Sequence, residues 1–98
     1  MEKLNASSKR GQRYINTYNR STMHTLKDAY AKPSTAKQAA FKRCLQQYDM
    51  ENGHNLRIIS AGPWLFTVAF EVTTASGATE LRVITRCNDY VIPLGDKL

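Results

Sequence analysis

The chain has 98 residues, 42% of them hydrophobic and 22% charged, and a formal net charge of +6. That length bounds it to one domain at most. No apolar run approaches the ~20 residues of a membrane span, and the opening Met1-Glu2-Lys3-Leu4-Asn5-Ala6-Ser7-Ser8 lacks the apolar segment of a secretory signal. The expected compartment is therefore the cytoplasm, with no membrane partner.

The charge is unevenly placed. Residues 1–49 hold ten Lys/Arg and three Asp/Glu, for +7, whereas residues 50–98 hold four and five, for −1. Such an excess serves solubility, or it marks a polyanionic partner.

Residues 1–20 set Lys3, Lys9, Arg10, Arg13 and Arg20 against the single acid Glu2. Their large apolar groups are Leu4, Tyr14, Ile15 and Tyr18. Weighed alone, that surface does not offset the entropy of ordering the backbone. The expectation is a basic arm, disordered over 1–12, with 13–20 able to dock through Tyr14 and Tyr18. Residues 21–98 then form a single small domain.

Ser21 can cap a short helix in which Met23, Leu26 and Tyr30 recur at helical spacing, and Pro33 ends it. A longer helix is predicted over about 34–51. Ser34 caps it, Phe41, Cys44, Leu45 and Tyr48 form one apolar stripe, and Asn52-Gly53 supplies the left-handed residue that stops it.

Three strands follow. Leu56–Ala61 is the first, and Gly62-Pro63 makes a turn. Trp64–Val72 is the strongest signal in the chain: Trp64, Phe66, Val68, Phe70 and Val72 alternate onto one bulky face. Thr79–Cys87 is the third. A two-residue loop at Ser76-Gly77 would pair Val72 with Leu81 and Phe70 with Val83, setting Glu71 beside Arg82. A bend near Pro63 would pair Ile58 with Val68 and Leu56 with Phe70. Tyr90–Leu94 adds at most a short edge segment, where Pro93 is tolerated. The predicted fold is α+β: an N-terminal helix, preceded by a short one, on one face of a three-stranded antiparallel meander, in the order α-β-β-β.

The series Leu26-Lys27-Asp28-Ala29-Tyr30, Leu56-Arg57-Ile58-Ile59-Ser60, Phe66-Thr67-Val68-Ala69-Phe70 and Ile84-Thr85 resembles a group of short bacterial proteins of Gram-positive gut bacteria and their phages or conjugative elements. The likeness spans residues 22–94. It implies a bacterial accessory protein, with no activity and no site residue to transfer.

Chemistry is sparse. His24 and His54 sit in no nucleophile motif, so no catalytic residue is assigned and the chain reads as non-enzymatic. Two histidines and two cysteines at 24, 44, 54 and 87 lack metal-ligand spacing, and no glycine pattern cradles phosphate; no metal or cofactor is expected. Cys44 and Cys87 both fall on predicted core faces, which favours buried free thiols.

Two functional readings survive. In the first, the chain is a protein-interaction module. The face of the sheet opposite the helix would carry Arg57, Ile59, Leu65, Thr67, Arg82 and Ile84, more apolar than a solvated face requires. The partner would be an unknown protein or a second copy, joined through that sheet face or an edge. In the second, the chain binds nucleic acid without reading sequence. Lys9, Arg10, Arg13 and Arg20, with Tyr14 and Tyr18, would act from the arm, and Lys37, Lys42 and Arg43 from the helix.

Overall fold

The computed structural model describes residues 1–21, 35–60, 67–85 and 88–96. In chain order they form β1 (Glu2–Lys3), α1 (Lys9–Arg20), α2 (Thr35–Met50), β2 (His54–Ser60), β3 (Thr67–Thr73), β4 (Ala78–Ile84) and β5 (Asp89–Asp96). Ser21, expected to cap a short helix, instead closes the end of α1, and the rest of that helix, the Pro63 turn, Trp64, Phe66 and Cys87 lie outside the described residues.

β3 explains the architecture. Its alternation sends Val68, Phe70 and Val72 to one side and Thr67, Ala69 and Glu71 to the other. Thr67 through Phe70 are buried without interruption. Both sides of the sheet are therefore covered. On one side, Cys44 of α2, with Leu45 and Tyr48 beside it, packs with Leu56, Val68, Phe70, Val72 and Ile84. On the other, Tyr18 of α1 packs with Ala69, Leu81, Val83, Tyr90 and Ile92, joined by Tyr14, Ile15 and Ile59. The result is three layers: helix, sheet, helix.

The α+β class holds, but the three-stranded α-β-β-β meander does not. The sheet has five strands in the order β1-β5-β4-β3-β2. β1 runs parallel to β5, and the other pairings are antiparallel. The segment over Tyr90–Leu94 is not a short addition but part of an eight-residue strand held between β1 and β4. Pro93 fits there because β1 pairs only with Tyr90 and Val91, leaving β5 without a β1 partner at Pro93.

The register between β3 and β4 also differs from expectation. Val68 pairs with Ile84, Phe70 with Arg82 and Val72 with Glu80. Gly77, at φ +88°, takes the left-handed position that closes a three-residue loop. The Gly77 amide donates to the Thr74 carbonyl, and the Thr74 amide to that of Ala78. One extra loop residue turns Leu81 and Val83 to the α1 side. This costs nothing, because α1 buries them there. Glu71 accordingly lies opposite Leu81, while Arg82 pairs with Glu80 at 3.0 Å and Glu51 at 3.7 Å.

The expected Ile58–Val68 pair is present. Leu56 and Phe70 share one core cluster, but the ladder shifts there because Asn55 bulges with φ +56°.

The long helix ends as its sequence predicts. Asn52 is left-handed at φ +52°, the Gly53 amide donates to the Tyr48 carbonyl and the Asn52 amide to that of Asp49. Gly53 is needed for space: a Cβ there would stand 2.6 Å from a Tyr48 ring carbon and 2.7 Å from one of Phe70.

Candidate nucleic-acid interface

The expected disordered arm is instead β1 followed by α1, a twelve-residue helix. Ser8 caps it, its hydroxyl oxygen accepting from the Gly11 amide at 3.0 Å. At the far end Ser21 and Arg57 supply donors to the Tyr18 carbonyl, the guanidinium at 2.7 Å. A cation there answers the negative end of the helix dipole. Arg57 also lies 4.6 Å over the Tyr18 ring. The Tyr18 hydroxyl donates to the Asn55 carbonyl at 2.6 Å and lies 3.1 Å from a Glu71 carboxylate oxygen. Burial and then the Glu71 charge push its acidity well below that of an ordinary tyrosine.

These contacts fix which way α1 faces. A residue of helix advances ~100°, so Lys9, Arg13, Asn16 and Arg20, at i, i+4, i+7 and i+11, fall within ~60° of one another. Gly11 and Tyr18, both buried, lie on the far side. All four stripe residues are exposed, and their side chains meet no acid among the described residues. The sequence of α1, KRGQRYINTYNR, contains no acid at all. The stripe borders a shallow trough shared with Gln12 and Thr17.

The nine predicted contact residues do not form one surface. Lys9, Arg13 and Arg20 come together on α1. Arg10 is exposed beside them but turns to Tyr90, donating to its hydroxyl at 2.6 Å with the guanidinium 4.7 Å over the ring. Tyr14 is half-buried with one face tilted on Tyr90, 5.8 Å between centroids, and Tyr18 is in the core, where no base can stack on it. Lys42 is exposed on α2, across the sheet from α1. Arg43 is engaged with Asp89 at 3.3 Å and the Thr85 carbonyl at 2.6 Å. The side chain of Lys37 lies outside the described residues.

The predicted partner surface does not exist as a single face. Arg57 and Ile59 lie beneath α1, and Thr67 is buried. Ile84 and Arg82 turn to the opposite side, Ile84 within the α2 core and Arg82 paired with Glu80 and Glu51. Leu65 lies outside the described residues. What covers the face is α1 itself.

Asn16 is not among the expected contacts because it is uncharged and residues 13–20 are expected only to dock through Tyr14 and Tyr18, not to form a helix. The helical interval 9, 13, 16, 20 was the signal that would have found it.

Among the described residues no three of His, Cys, Asp and Glu gather as metal ligands, and no helix is long and apolar enough to cross a membrane. Cys44 is buried and unpaired, and burial pushes its thiol up to about 12. Compared with known protein families, curated proteins and solved structures, the chain matches none. Those comparisons leave the bacterial and phage resemblance where the sequence put it.

Proposed function

We propose that this chain binds the phosphate backbone of nucleic acid through the outer face of α1. The observation that carries the reading is the alignment of Lys9, Arg13 and Arg20 on one exposed line of an acid-free helix. Three cations carried in a row by an ordered helix match a polyanion better than a flexible tail would, because less backbone freedom is lost on binding. Contacts of this kind position a protein on a duplex or strand whatever its sequence. The interaction-module reading loses the sheet face on which it was argued, so the backbone reading is preferred.

Counterion release makes the proposal quantitative. Three phosphate contacts on B-form DNA give log K against log[salt] a slope of about −2.7. Anisotropy titrations of a labelled 20-base-pair duplex between 50 and 200 mM salt measure it. The double variant Lys9→Ala/Arg20→Ala should bind more weakly with a slope near −0.9. No retention of DNA or RNA at 50 mM salt would sink the proposal.

A further inference from the structure

The α1 stripe holds a pattern that backbone binding alone does not use. Its ends are Lys9 and Arg20; its middle is Arg13 and Asn16. The end residues are separated by about 16 Å along the helix axis. The major groove of B-form DNA is about 12 Å wide and admits an α-helix. Such a helix lies along the groove, and because it is straight while the groove winds, its two terminal cations are carried toward the phosphates of the walls. The two central side chains are left facing the base edges. Arginine and asparagine are the residue types whose paired hydrogen-bonding groups match guanine O6/N7 and adenine N6/N7. Neither is engaged elsewhere: among the described residues, the Arg13 and Asn16 side chains make no hydrogen bond, unlike Gln12, whose amide donates to the Ala6 carbonyl at 2.6 Å. The helix is also held firmly enough to present them. Ser8 caps its start, Arg57 and Ser21 close its end, and the Tyr18 hydroxyl is tied to β2.

We infer that α1 enters the major groove of duplex DNA, with Lys9 and Arg20 on the phosphates and Arg13 and Asn16 preferring a guanine and an adenine at neighbouring base pairs. The inference rests on the backbone-binding proposal and adds base preference to it. Two contacted base pairs predict a modest selectivity, about fivefold or more at each.

The test is enrichment of tightly bound duplexes from a pool of 20-base-pair DNA randomised at its central positions, followed by anisotropy with the winning and scrambled sequences. The expected result is a short preferred site containing G and A. Asn16→Ala should abolish the adenine preference while leaving the salt slope unchanged, since no charge is removed. Arg13→Ala should abolish the guanine preference and leave the slope on the preferred site unchanged at about −1.8, because there Arg13 meets a base and only Lys9 and Arg20 meet phosphates. Circular dichroism confirms that each variant keeps its helix, which is expected because both positions are exposed. Salt-dependent binding with a flat enrichment overturns the groove inference and leaves backbone binding intact. Tighter binding to the single strand than to its duplex also overturns the inference. Absence of any binding removes both proposals.

Discussion

α2 covers its side of the sheet with Cys44, Leu45 and Tyr48, set against Val68, Phe70 and Ile84. The α1 side instead joins two buried tyrosines with tied hydroxyls: Tyr18 of α1, bonded to Asn55 and Glu71, and Tyr90 of β5, which accepts from Arg10. The α2 side also has polar ties, but at its margin, where Arg43 and Gln47 hold Asp89. One cover thus depends on packing volume and the other on hydrogen bonds and cation–π contacts. The difference teaches why the two helices read so unequally in sequence. Both helices carry an apolar stripe at helical spacing, Tyr14, Ile15 and Tyr18 in α1 and Cys44, Leu45 and Tyr48 in α2, but that of α1 is set among basic residues and ends in polar hydroxyls.

The largest expected effect lies on the α2 side. Phe70 is fully buried and meets Tyr48 edge-on at 5.3 Å. Phe70→Ala should cost about 3–5 kcal/mol in urea denaturation. A loss below ~1 kcal/mol would mean that the site collapses and that packing is not what holds this cover.

On the α1 side smaller changes should matter. Tyr18→Phe keeps the ring and removes the hydroxyl, leaving the Asn55 carbonyl without that donor; the expected loss is about 1–2 kcal/mol. Arg57→Ala removes the cap on the helix end and the cation over Tyr18, with a similar loss. Arg57 sits directly on Tyr18, at its carbonyl and over its ring, so the double variant should fall short of the sum. Full additivity would break the picture of one coupled anchor.

The smallest effect is in pH. The folded chain keeps the Cys44 proton up to about 12, whereas the unfolded chain releases it near the ordinary thiol value of ~8.5. Above ~8.5 the unfolded state therefore binds fewer protons, and stability falls as pH rises through that window. Cys44→Ala should lower the thermal midpoint at pH 7 yet flatten its decline between pH 8.5 and 10. An unchanged slope would place the alkaline sensitivity elsewhere.

These contrasts also locate what was legible. α2, its stripe and its Asn52-Gly53 stop are set by local spacing, and the Ile58–Val68 pair joins strands close together in sequence. α1 was not, because Tyr14, Ile15 and Tyr18 were weighed against solvent alone. Their partners, Leu81, Val83, Tyr90 and Ile92, come from strands far along the chain. The β4 register failed for the same reason: with only one face assumed dry, Leu81 and Val83 had to join Phe70. The run Leu81-Arg82-Val83-Ile84 carries apolar groups on both faces, the pattern of a strand buried on two sides. As for the site, the charges Lys9, Arg13 and Arg20 were visible, but their alignment existed only once the segment was helical.

β1 sets Glu2 opposite Tyr90, and the Leu4 amide donates to the Val91 carbonyl. The first strand therefore has nothing to lie against until the last has formed, and α1 gains its floor only with β4 and β5. Loop closure of that span is paid late and slowly. The helix that carries the exposed cations should thus be the final layer to settle during folding, and the first to lift when β5 is pulled away.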